Sequence, residues 1–177
     1  MIRPFFAVLL AASFSTCVLF AQQEQRKSPH ETVSAQLGAN SITITYGRPS
    51  LHGRKAVGGS LVPYNEVWRL GADEATKLTT PVALMIGDLK VPKGSYALFT
   101  IAGQDHWTLI VNKKADQWGA FDYKQSDDLG RTPLKVTKTP SSVEEFTITM
   151  QPAGANTLAL HFIWENTDAS TTVRLAE

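Results

Sequence analysis

Ser41-Ile42-Thr43-Ile44-Thr45-Tyr46 alternates polar and apolar side chains with a period of two. Successive side chains of an extended chain point to opposite faces, so this run predicts a strand with one buried and one wet face. Gly47-Arg48-Pro49-Ser50 ends it, residues 53–60 form a glycine-rich basic loop, and residues 61–66 read as a short turn. The same rhythm continues downstream. Residues 75–80 and 82–86 are strand candidates, closed by the turn pair Gly87-Asp88. Residues 90–94 make a second turn, and Pro92, with no amide proton to give a ladder, marks an edge or a connection. Residues 95–101 and 107–111 predict a hairpin across the polar linker 102–106. Residues 112–132 carry loop chemistry around Trp118-Gly119-Ala120-Phe121, and three strands, 146–151, 157–164 and 171–175, close the chain.

No window after residue 21 holds a helical period. Eight or nine short strands separated by turn residues predict one all-β domain over residues 37–177, an antiparallel sandwich or flattened barrel. Residues 22–36 are polar and read as a flexible leader with little to bury. Residues 1–21 read as a cleaved signal peptide: Arg3 gives a positive start, residues 5–20 an apolar run, and Ala21 precedes Gln22-Gln23-Glu24-Gln25. The expected destination is therefore periplasmic or extracellular, with no membrane span in the mature chain, because the apolar run is short and does not recur. Cys17 raises the alternative of a lipid anchor, although Thr16 before it is bulky for a lipoprotein signal.

Cys17 is the only cysteine among 177 residues, so a mature chain cut after Ala21 has neither a disulfide nor a thiol nucleophile. Lys and Arg total 17 against 16 Asp and Glu, a net charge of +1. That balance, without a long basic run, argues against nucleic acid or an anionic membrane as the main partner.

Chemistry concentrates in Val67-Trp68-Arg69-Leu70-Gly71-Ala72-Asp73-Glu74-Ala75-Thr76, where charges sit among strand-forming residues. Charges are costly to bury and need partners, so this run belongs to an ionic network or to a site. Together with Tyr46-Gly47-Arg48-Pro49-Ser50, Gly53-Arg54, Leu61-Val62-Pro63-Tyr64, residues 93–101, Trp107-Thr108-Leu109-Ile110, Asn112-Lys113 and Gln117-Trp118-Gly119, it resembles the exported bacterial family known as domain of unknown function 2911. The likeness spans nearly all of residues 40–164. It implies an exported, β-rich bacterial protein and supplies no activity; Asp73 departs from it, standing where the family pattern carries Asn.

Two readings stand for the charged residues. Arg48, Arg54 and Arg69 converging beside Glu74 would grip an anionic or hydroxyl-rich ligand through bidentate hydrogen bonds. Alternatively, Arg69 or Arg48 pairs with Glu74 across neighbouring strands as a structural network. Strand alternation places Trp68 and Leu70 on one face and Arg69 on the other. Among the aromatic residues, Trp107 and Trp164 lie in apolar strands and are expected in the core, whereas Trp118, in a polar loop, is the ligand-facing candidate. His30, His52, His106 and His161 show no paired metal spacing, and no cofactor is expected. No nucleophile elbow or phosphate loop is present.

The expected role is a non-catalytic binding module of the bacterial envelope, with Arg48, Arg54, Arg69, Glu74 and Trp118 as binding candidates for a glycan, a peptide or a small anion. The alternatives are a hydrolase using Glu74 with His52 or His161, and a structural or assembly protein.

Overall fold

The computed structural model describes residues 26–176; the expected signal peptide, Cys17 and the first residues of the expected leader lie outside them. Ten strands run in chain order: β1 His30–Leu37, β2 Asn40–Gly47, β3 Val67–Trp68, β4 Ala72–Thr80, β5 Leu84–Ile86, β6 Leu89–Val91, β7 Gly94–Ala102, β8 Trp107–Asn112, β9 Asp128–Pro152 and β10 Thr157–Leu175. All pairings are antiparallel. They form one sheet in the order β1-β2-β4-β7-β8-β9-β10-β5-β6, with β3 also on β7, and the sheet does not close.

The sheet becomes a sandwich because two strands are long enough to serve both layers. The first part of β9 pairs with β8, and the part from Lys135 onward pairs with β10. The β9–β10 ladder shifts register between Ile163 and Thr167, and Glu165 there has φ 53°. Such breaks let strands bend sharply and change layers.

Two expectations are corrected here. The folded body begins at His30, because residues 30–36, assigned above to the leader, pair residue for residue with β2 from His30↔Gly47 to Leu37↔Asn40. The three closing strands are two, with β9 starting within residues read as loop. Pro133 and Pro140 obscured β9 in the sequence. Pro133 faces Thr108 near the point where β9 changes partners, and Pro140 falls in the gap between the pairs at Lys138 and Val143. A missing amide proton costs little at either place.

Ile42, Ile44 and Tyr46 of β2 face Phe146 and Ile148 of β9 and Phe162 and Trp164 of β10 in the core. Trp68 stacks on Trp164 at 5.8 Å and 17°, and Phe146 meets Trp68, Trp164 and Tyr46 edge-on at 5.0, 5.8 and 5.7 Å. Trp107 and Trp164 are buried as expected, and Trp68 is buried with them. The open seam beside β2 is fastened by polar groups. Tyr46 Oη donates to Glu31 and accepts from the Ile148 amide, while the amides of Leu51 and Phe146 donate to the carbonyls of Glu144 and Pro49.

Phe146 is the ring on which the other three converge, so Phe146→Ala should cost about 3–5 kcal/mol of stability, seen as a lower urea midpoint with an unchanged slope.

Candidate functional site

The charged run of β4 is placed by a bulge. Thr45 pairs with Lys77, but the next pair is Gly47 with Ala72, so β4 carries extra residues opposite Tyr46. β4 joins β7 only from Thr76 onward. Asp73, Glu74 and Ala75 therefore leave both ladders, and Asp73 adopts φ 61°, a left-handed conformation that Asp tolerates better than most residues. Upstream, the Thr76 amide and hydroxyl donate to the carbonyls of Arg69 and Leu70, and Leu70 has φ 57°. The two backbones approach so closely that a Cβ on Gly47 would strike the Ala72 carbonyl.

Backbone groups expelled from a ladder need other partners. The loop after β8 supplies them. Ala75 donates to the Gln117 carbonyl, Gly119 donates to the Asp73 carbonyl, and Glu74 bridges Trp118. That loop hangs from Asn112, which is fully buried. Asn112 Nδ2 donates to the Lys124 carbonyl and Asp128, and its Oδ1 accepts from the Lys114 amide and Gln117 Nε2. Further along, Ala120 and Tyr123 cover Ala97, Phe99 and Ile110 on the outer face of the sheet. Tyr123 Oη donates to Asp128 and accepts from Arg131; burial, followed by the Asp128 carboxylate, pushes this phenol above its ordinary value.

Between the bulge, the loop and the outer face of β2 lies a cleft of about 550 Å³. Glu74, Trp118, Gln117, Lys77, His30 and Arg26 supply its distinctive side chains. Arg26 Nε and Nη2 donate to Glu74 Oε1 at 2.8 and 2.7 Å. His30 Nε2 stands 2.7 Å from Glu74 Oε2, yet neither atom has an aligned hydrogen bond among the described residues. Lys77 Nζ meets Asp116 at 2.8 Å. The Asp73 carboxylate accepts the amides of Lys27 and Ser28 and so holds the segment that carries Arg26. Burial alone would push the Glu74 carboxyl up; the hydrogen bond from Arg26, its own amide and the charges of His30 and Arg26 outweigh burial and hold it below the ordinary carboxylate value.

Of the five candidates named from sequence, Glu74 and Trp118 line this cleft and the three arginines do not. Arg48 clasps the seam: it pairs with Glu31 and Glu145 and donates to the Phe146 carbonyl and Thr147. Arg54 donates to the carbonyls of Leu51 and Ser50 within its own loop. Arg69 is half-buried, its Nε has no partner among the described residues, and burial lowers its pKa against the opposing charge of Asp73. The expected convergence of guanidinium groups on Glu74 is made instead by Arg26, with His30 beside it. Neither histidine proposed for Glu74 lines the cleft: the His52 amide binds Glu144, and His161 Nδ1 lies 3.0 Å from Asp168. The residues missed were Arg26, His30, Lys77, Asp116 and Gln117. A signal for His30 existed, since Thr32-Val33-Ser34-Ala35-Gln36-Leu37 alternates like β2.

No group of three or more His, Cys, Asp or Glu suited to a metal occurs among the described residues. Nor is any helix among them long and apolar enough to cross a membrane.

Asn112→Ala should cost about 2–3 kcal/mol, because it leaves buried donors and acceptors unpaired. Amide exchange should quicken in residues 113–124 and not in β7 if the loop depends on that one side chain.

Comparison with known proteins returns no curated protein and no solved structure that matches. A family model described as "Protein of unknown function (DUF2911)" matches residues 28–173, and the chain belongs to that family.

Proposed function

We propose that this is an exported, non-catalytic binding protein whose ligand occupies the cleft between Glu74 and Trp118. The observation that carries the reading is the bulge of β4, which spends ladder hydrogen bonds to present an ionised carboxylate opposite an indole in one concavity. Bulges recur where a side chain must be re-aimed toward a site. The cleft volume falls in the range of small-molecule pockets, about 300–1,000 Å³. A half-buried indole offers a flat apolar face to a sugar ring or a peptide side chain, and Glu74 and Lys77 fix its orientation. Export rests on the signal-like residues 1–21.

The state of Glu74 favours binding over acid catalysis. A general acid at neutral pH needs a raised pKa, whereas Glu74 is held down. One observation favours the second reading, a hydrolase: His30 Nε2 stands beside Glu74 Oε2 at 2.7 Å, so the carboxylate is placed to orient an imidazole base. Turnover of ester, amide or glycoside test substrates that disappears in both His30→Gln and Glu74→Gln would establish it over the binding reading.

Binding is tested by thermal shift with panels of glycans, peptides and small ions. A stabilising ligand should lose its effect in Trp118→Ala and Glu74→Gln; a shift unchanged by both variants places the ligand elsewhere.

The pH dependence follows from the lowered Glu74 pKa. The ordinary value is 4.5, so the stabilisation from ionised Glu74 is complete above about that pH and is lost as pH falls through the lower folded-state value. The stability difference between the protein and Glu74→Gln should shrink as pH falls below about 4.5, measured by urea unfolding across pH.

A further inference from the structure

Resting on the proposal that the Glu74–Trp118 cleft is a ligand site, we infer that it receives a cationic group, an amine or a guanidinium, and that Arg26 is a ligand mimic supplied by the protein's own N-terminal arm. Three observations converge. First, two acceptors of the cleft, Gln117 Oε1 and Glu74 Oε2, make no hydrogen bond among the described residues. Gln117 is 6 % exposed, and its Nε2 donates to Asn112 Oδ1 and the Lys114 carbonyl at 3.1 and 2.6 Å. Both amide hydrogens are thus committed, and Gln117 Oε1 is left buried with no donor among the described residues. Glu74 Oε2 is buried too, with His30 Nε2 2.7 Å away but no aligned hydrogen bond among the described residues. A buried acceptor left unpaired costs free energy that an incoming N–H recovers.

Second, the donor that does reach Glu74 comes from a separate segment. The Arg26 side chain is more than half exposed, and its arm is held by the Lys27 and Ser28 amides on the Asp73 carboxylate. Lys77, the cation fixed on the sheet, is engaged with Asp116. With Arg26 withdrawn, the frame keeps two carboxylates, Glu74 and Asp116, against one fixed ammonium, and His30 remains at the edge of Glu74.

Third, Trp118 lines the same cleft and is only half-buried. An indole beside a carboxylate suits an organic cation, which gains attraction from the ring face as well as the charge pair. Arg26 and such a ligand therefore compete for the one Glu74 carboxylate, and the arm lowers apparent affinity by the fraction of time it occupies the cleft.

The test follows the Trp118 indole N–H by ¹H–¹⁵N NMR while agmatine, succinate or glucose is added to the protein, to Arg26→Ala and to Arg26→Ala/Glu74→Gln. Arg26→Gln serves as a second arm variant, and melting curves confirm folding. Agmatine should shift the indole resonance in Arg26→Ala with an affinity about tenfold higher than in the unaltered protein, and Glu74→Gln should remove that response. Equal agmatine affinity with and without Arg26 overturns the mimic. A response to succinate or glucose but not agmatine overturns the cationic ligand while leaving the cleft a binding site. Silence with all three probes in every variant overturns both the inference and the site it rests on.

Discussion

Three residues of β4 give up both neighbouring ladders, and the cleft exists because their backbone groups must find partners elsewhere. An amide or carbonyl expelled from a sheet and hidden from water is too costly to leave unpaired. The loop after β8 meets that demand through Ala75, Asp73 and the Glu74–Trp118 bridge. In doing so it brings Gln117 and Trp118 against β4 and walls the cleft. The same excursion turns Asp73 toward the N-terminal arm, where its carboxylate collects two amides. Carboxylate, indole and arm are thus three results of one irregularity, not independent features that happen to be neighbours.

The rest of the molecule supports the irregularity by being regular. β9 and β10 carry the chain from one layer to the other, and the aromatic group around Phe146 fills the space between them. Arg48 belongs to this supporting structure. Its contacts with Glu31, Glu145, Phe146 and Thr147 bind an open seam where main-chain pairing is sparse. Ion pairs this exposed contribute little each, but hydrogen bonds to a backbone carbonyl and a hydroxyl fix the geometry. An arginine in a charged motif can therefore serve closure of the fold alone.

Much of the fold was legible. Alternation in residues 41–46 gave β2, and the 95–101 and 107–111 runs gave the β7–β8 hairpin, whose ladder reaches one residue further to pair Ala102 with Trp107. Trp68 and Leu70 are both buried, although Leu70 gets there through a left-handed turn and not through strand alternation. The site was legible only in part. Glu74 and Trp118 stood out as a charge and a ring in the wrong surroundings. Their partners did not, because Arg26 lies 48 residues from Glu74, and nothing local distinguishes a polar arm bound to the fold from one that is not. Counting arginines near Glu74 in sequence selected Arg48, Arg54 and Arg69, whereas sheet order and the bulge decide which cation arrives.

The attachment of the loop has an evolutionary corollary. Its inner end is anchored by Asn112, its middle borrows main-chain groups from β4, and its far end rests on Phe99 through Tyr123. Main-chain hydrogen bonds and the Lys77–Asp116 ion pair fasten it to β4, while Trp118 and the almost bare ring of Phe121 project from it. Descendants of this scaffold are free to exchange those projecting groups and acquire new preferences without renegotiating the sheet beneath, much as a tool holder accepts different bits.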